Sequence, residues 1–137
     1  MKKRVYYSAM LLLLLGSGLG IFACTYQPYA QGERLYLSQC ADCHMEDGSG
    51  LEQLIPALAG SDFLLSQGVE TACLIKLGAK DSLLLGGRSF YGNMPPHPNL
   101  NATEITNILN YARNAWGNQA PPIKVQEVEE ALQKCKR

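Results

Sequence analysis

Cys40-Ala41-Asp42-Cys43-His44 sets two thiols three positions apart, with an imidazole directly after the second. On one helical turn, such thiols can each add across a vinyl group of a haem, and the next residue brings its ring under the iron. Two other chemistries use the same residue types. A thioredoxin-type C-x-x-C opens a helix after a strand in a βαβ setting; this one closes a segment, 32–39, that reads as helix, and no βαβ pattern follows. A zinc site needs four ligands in tetrahedral array, yet His44 directly after Cys43 is not zinc-ligand spacing and His97 is the only other histidine. The motif points to one haem c, attached through Cys40 and Cys43, with His44 on the iron.

The second axial position has few candidates. Met1 and Met10 fall in an apolar leader, and Met45 adjoins His44 and cannot reach the opposite face of the ring. Met94 remains, in Asn93-Met94-Pro95-Pro96, where two prolines fix φ and stiffen the loop. His97 is its rival: a second histidine would lower the reduction potential, whereas a thioether raises it. Met94 is the expected ligand and His97 an expected surface loop residue.

The elements that must position these groups read as short helices, so the expected fold is all-α with a minor hairpin. Ile105, Ile108, Leu109, Ala112 and Trp116 share one helical face. Asn101 can cap that helix, with Glu104 as reciprocal partner. Segments 61–67 and 69–77 read as helices broken by Gly68 and Gly78. Leu83-Leu84-Leu85, Gly86-Gly87 and Arg88-Ser89-Phe90 read as a hairpin that delivers the chain to Met94. Gly48 to Gly50 reads as a loop with no phosphate-cradle motif around it. Pro121-Pro122 punctuates the end, and Val125, Val128 and Leu132 mark a last amphipathic helix with Glu127, Glu129 and Glu130 on its solvated side.

The chain has 137 residues, 47% hydrophobic and 18% charged, with 12 basic and 12 acidic side chains. That length suits one domain. Lys2, Lys3 and Arg4 precede the apolar run 5–23, the layout of an export signal; an uncleaved span is the alternative, at a borderline length interrupted by Gly16, Gly18 and Gly20. Without the leader, nine positives face twelve negatives, a net of −3 by count. A slightly acidic chain has no basic face for phosphates, which argues against nucleic acid, and the acidity suggests a partner with a basic patch.

Ile21-Phe22-Ala23-Cys24 resembles the lipobox of bacterial lipoproteins, which implies that Cys24 is lipidated and becomes the mature N-terminus. The expected organisation is a lipoprotein-type signal peptide at 1–23, a membrane tether at 24–30, a haem domain at 31–120 and, at 121–137, a C-terminal helix packed on it.

From about Gln31 to Asn118, the sequence resembles the bacterial class I c-type cytochromes, small single-haem electron carriers. Gly32-Glu33-Arg34-Leu35-Tyr36 is similar to their first helix. Ile55-Pro56-Ala57-Leu58-Ala59-Gly60 is similar to their post-haem segment, whose proline carbonyl accepts a hydrogen bond from the ligand histidine. Asn93-Met94-Pro95-Pro96 is similar to the distal loop, and segment 109–118 to the C-terminal helix of carriers associated with copper nitrite reductases and haem-containing dehydrogenases. The resemblance implies a small cytochrome c fold, several short helices around one covalent haem. It also implies cofactor contacts from Pro56, with Leu58, Ile108, Leu109 and Trp116 among the candidates for a dry wall.

With both axial sites filled by side chains, such an iron passes single electrons and has no open position for substrate. The expected function is therefore a one-electron carrier and not an enzyme, lipid-anchored on the periplasmic or outer side of a bacterial envelope membrane. Its partners would be redox proteins (a dehydrogenase, oxidase or reductase), with no small-molecule substrate. The alternatives are a haem subunit of an oxidoreductase complex, a labile-ligand haem sensor or peroxidase, and an exported disulfide domain without haem.

Cys73 and Cys135 lie outside the resemblance's usual pattern. In an oxidising compartment they are expected to form a disulfide, because Cys135 continues the Val125, Val128, Leu132 stripe towards the apolar segment around Cys73. The alternative is a buried Cys73 acting as a small hydrophobe and a loose Cys135.

Overall fold

A computed structural model describes residues 27–135. These form helices α1 (Ala30–Gln39), α2 (Ala41–His44), α3 (Asp62–Ser66) and α4 (Gly68–Leu77), strands β1 (Leu83–Leu85) and β2 (Arg88–Phe90), and helices α5 (Ala102–Ala112) and α6 (Val125–Lys134). The chain is mostly helical, and its antiparallel strands pair Leu83 with Phe90 and Leu85 with Arg88 across Gly86-Gly87. The expected leader at 1–23, Cys24 and the first part of the tether lie outside the described residues. Ala30, the last residue of the expected tether, opens α1 instead. Among the described residues, no helix is long and apolar enough to cross a membrane.

The core forms on α5. Asn101 Oδ1 accepts the Glu104 N–H at 3.0 Å, and a Glu104 carboxylate oxygen accepts the Asn101 N–H at 2.9 Å, so two orphan donors are satisfied at the helix start. Ile105, Ile108, Leu109 and Ala112 are all buried, each larger side chain contributing about 1.5–3 kcal/mol by leaving water. α1 crosses this helix at Gly32, where a Cβ would fall 2.7 Å from the carbonyl carbon of Asn107 and 2.8 Å from Tyr111 Cβ. Only glycine permits so close an approach of two backbones.

α6 closes the fold from the other side. Val128 is fully buried, and Leu132 packs against the same core. A disulfide joins Cys135, at the end of α6, to Cys73 in α4, with Cα atoms 5.6 Å apart. The Asn110 side chain holds the approach to α6, donating to Ile123 O and accepting from Ile123 N–H.

Two boundaries differ from the sequence expectation. α4 begins at Gly68, with the break one residue earlier at Gln67. More consequentially, α5 stops at Ala112, so the helical face expected to run on to Trp116 does not exist. Asn118 ends it: its Nδ2 donates to Ala112 O at 2.7 Å, and Trp116 and Gly117 take positive φ values of 54° and 84° to bring it there.

Candidate cofactor site

Cys40 lies between α1 and α2, so the helical rod bends where the motif begins. The four-residue α2 then carries Cys43 and His44 on a single turn. Met45 ends that turn with φ 64°, and its carbonyl accepts the phenol of the fully buried Tyr36. Neither Cys40 nor Cys43 is disulfide-bonded; Cys43 is exposed and Cys40 half-buried. Burial, and then the charge of Cys43, pushes the Cys40 thiol up to about 11.

His44 Nδ1 stands 3.1 Å from Pro56 O. A carbonyl can only accept, so Nδ1 carries the proton and Nε2 keeps its lone pair. Burial lowers the imidazole pKa, opposed by the bond to Pro56, and the neutral ring is the metal-ligating form. The Pro56 carbonyl is set by a tight return of chain. Gly50, at φ 66°, donates to His44 O, and Leu51 N–H donates to Ile55 O. A Cβ on Gly50 would fall 2.5 Å from Ile55 O and 2.7 Å from Pro56 O.

Met94 reaches the same cavity from a separate stretch of chain. Its N–H and C=O each pair with those of Ala79, both bonds 2.9 Å. Gly78, at φ 71°, makes room for this: a Cβ there would fall 2.5 Å from Met94 O.

Cys40, His44, Pro56, Leu83 and Met94 line two adjoining hollows. One opens past Cys43, Leu54, Phe90 and His97. The other is almost wholly apolar, walled by Leu58, Leu64, Ile108 and Leu109. A broader hollow between Glu52 and Arg88 contains none of the candidate ligands. The chemistry of the donor set therefore fits a haem c: two thiols, a neutral imidazole with its tautomer fixed, a thioether on the same cavity, and a dry wall.

The structure departs from expectation at two residues. Trp116 lines neither hollow. Its ring packs 4.9 Å from Tyr36 and 5.5 Å from Tyr111, and its Nε1 donates to Glu46 O. Tyr36, expected only as part of the first helix, is the residue of that trio on the cavity wall. His97, expected as a surface loop residue, is half-buried at the rim of the open hollow, its N–H donating to Ile75 O. Two supporting residues were given no role of their own by the sequence, only a place in segment 109–118. Asn118 joins the post-motif segment to the end of α5, accepting from Gly60 N–H and donating to Leu58 O. Arg113, buried, donates to the carbonyls of Leu64, Leu65 and Pro121. Only the Gly117-Asn118 pair carried a local signal, as a helix-ending dipeptide.

Residues 29–116 match the cytochrome c family. The chain is 32% identical over 113 residues to cytochrome c-552 of Thermus thermophilus, covering 80% of this chain and 71% of that protein. It is 33% identical over 93 residues to the cytochrome c subunit of the quinone alcohol dehydrogenase of Gluconobacter oxydans, covering 66% of this chain. The corresponding subunit of Gluconacetobacter polyoxogenes is 30% identical over 93 residues. The chain spans 19% of the length of each of these two dehydrogenase subunits.

Proposed function

This chain belongs to the cytochrome c family, and we propose that it is a one-electron carrier holding a single haem c through Cys40 and Cys43, with His44 and Met94 as axial ligands. It is an electron-transfer protein and not itself a catalyst. The observation that carries the ligand assignment is the pairing of His44 Nδ1 with Pro56 O, which leaves Nε2 free for iron, while Met94 lines the same cavity from the loop held at Ala79. Bound haem supplies a one-electron iron couple. The chain's own residues keep that site dry through Leu58, Leu64, Ile108 and Leu109 and fix the imidazole proton on Nδ1, and His44 and Met94 would together supply the iron's ligands and leave no position for a substrate. The open hollow past the exposed Cys43 and Leu54 is the side from which a redox partner would approach.

The same reading puts the protein in a bacterial envelope, with 1–23 as signal, lipidated Cys24 and a short tether as its anchor, 31–120 as the haem domain and 121–137 as the helix closing it. A dehydrogenase is the favoured class of partner, because two of the similar proteins are cytochrome subunits of quinone alcohol dehydrogenases. That similarity also supports the second reading, a haem subunit within such a complex. Spectroscopy of the purified holoprotein tests the core proposal. A pyridine haemochrome of thioether-linked haem is expected, with a far-red iron–sulfur absorption lost in Met94→Ala. Loss of the native spectrum in His97→Ala, with Met94→Ala unchanged, would overturn the ligand assignment.

A further inference from the structure

The loop carrying Met94 is poor in means of holding itself. Pro95, Pro96 and Pro98 have no N–H to donate, so its attachment depends on what the neighbouring elements bring to it. α4 brings almost everything. Ala79, two residues past its end, exchanges both backbone bonds with Met94, and Ile75 O accepts the His97 N–H at 3.0 Å. Lys76 supplies the rest: its Nζ donates to Pro98 O at 2.7 Å and to Leu100 O at 2.8 Å. A lysine in the last turn of a helix ordinarily serves the final carbonyls of its own helix. This one, half-buried, reaches across to backbone more than twenty residues further along the chain. Among the described residues, no other side chain is hydrogen-bonded to segment 94–100.

We propose that Lys76 is the positioning residue of the distal ligand, its ammonium bridging Pro98 O and Leu100 O so that the Met94 loop stays closed on the cofactor. The proposal rests on the reading of Met94 as axial ligand. Charge-assisted bonds are stronger than neutral ones, and these two tie the loop's far end, at Pro98 and the buried Leu100, to α4, as Ala79 anchors its near end. With both ends fixed, the three prolines between them leave Met94 little freedom to swing away. Without Lys76 the His97 N–H is the one hydrogen bond left between α4 and the far half of the loop, the Leu100 side chain staying packed in the core, and the fraction of molecules with Met94 displaced rises. An external ligand that binds only the displaced form reports that fraction directly, since its apparent affinity scales with it.

The test is imidazole binding to the ferric holoprotein, in wild type, Lys76→Met, Lys76→Gln, Lys76→Arg and Lys80→Met. Lys80 is exposed and makes no hydrogen bond to the loop, so it controls for loss of a nearby charge. Lys76→Met and Lys76→Gln should each bind imidazole about tenfold more tightly than wild type. Lys76→Arg should restore most of the native resistance, because two guanidinium N–H groups can serve the same two carbonyls, and Lys80→Met should match wild type. Unchanged imidazole affinity in Lys76→Met or Lys76→Gln, with or without a loss of resistance to urea, would overturn the proposal and leave Lys76 a structural tie. A wild-type far-red band that survives Met94→Ala would instead sink the ligand assignment beneath it, so the two failures are distinguishable.

Discussion

Gly48 lies flat against the indole of Trp116: a Cβ on residue 48 would fall 2.5 Å from Cε3 and 2.7 Å from Cδ2 of that ring. The contact connects the aromatic trio to the cofactor site, because Gly48 O accepts the N–H groups of both Leu58 and Ala59 and so holds the segment following Pro56. The indole thus acts on the site from behind, through backbone. This gives Trp116 a role although it does not line the cavity.

Gly48→Ala should therefore be costly for two separable reasons, the strain of a side chain at φ 68° and the collision with an indole packed on two tyrosines and hydrogen-bonded to Glu46 O. Together they should destabilise the holoprotein by about 2–5 kcal/mol. Urea unfolding followed through the haem absorption would measure it. A loss below about 1 kcal/mol would mean that the indole moves aside freely.

Arg113 is the strongest case of a surface-type residue used internally. Its three donated bonds end α3 and fix Pro121, upstream of α6. Arg113→Met keeps the stem and strips the donors from three carbonyls, and should cost about 2–4 kcal/mol. Arg113→Lys should recover little of this, since one ammonium cannot reproduce a planar fork aimed at three acceptors. An Arg113→Lys variant as resistant to urea as wild type would refute that geometry.

Much of this architecture was legible locally. The Asn101–Glu104 box, the Gly86-Gly87 turn and the apolar stripe of α5 each depend on neighbours within a few residues, and all three occur as their spacing predicts. The haem motif and the Pro56 acceptor followed from residue chemistry and resemblance respectively. What escaped was decided at long range. Trp116 continues the spacing of Ile105, Ile108 and Ala112, yet the helix stops short of it because Asn118 finds partners at Leu58 and Gly60, some sixty residues back. Periodicity cannot register a competitor so distant in sequence. Arg113 reads as solvent-facing by type, and only the assembled carbonyls of α3 reveal its burial.

Membrane attachment is tested at the other end of the chain. If Ile21-Phe22-Ala23-Cys24 is a lipobox, Cys24→Ala should shift the haem protein from the membrane fraction to the soluble one, or leave uncleaved precursor, with the haem spectrum unchanged. Mass spectrometry of the wild-type N-terminus should find a diacylglyceryl cysteine. An unlipidated N-terminus beyond Ala30 would rule the anchor out.

The Cys73–Cys135 bond carries the last prediction. It closes a loop of 62 residues, for which the chain-entropy model gives up to roughly 4 kcal/mol, and measured values are often smaller. Its local effect follows from what it joins. α6 makes its buried contact through Val128 and Leu132, with Glu127, Glu129 and Glu130 left to solvent, so without the bond a short amphipathic helix rests on two apolar side chains. α4, on the other side of the bond, supplies Ile75, Lys76 and the approach to Ala79, all of which hold the loop carrying Met94. Non-reducing peptide mapping of the purified holoprotein should return one linked pair containing both residues, and Cys73→Ser/Cys135→Ser should lower stability while leaving the iron–sulfur band in place at low denaturant. Two alkylatable thiols would remove the bond from the native protein. A double variant as stable as wild type would show that Val128 and Leu132 suffice to hold α6.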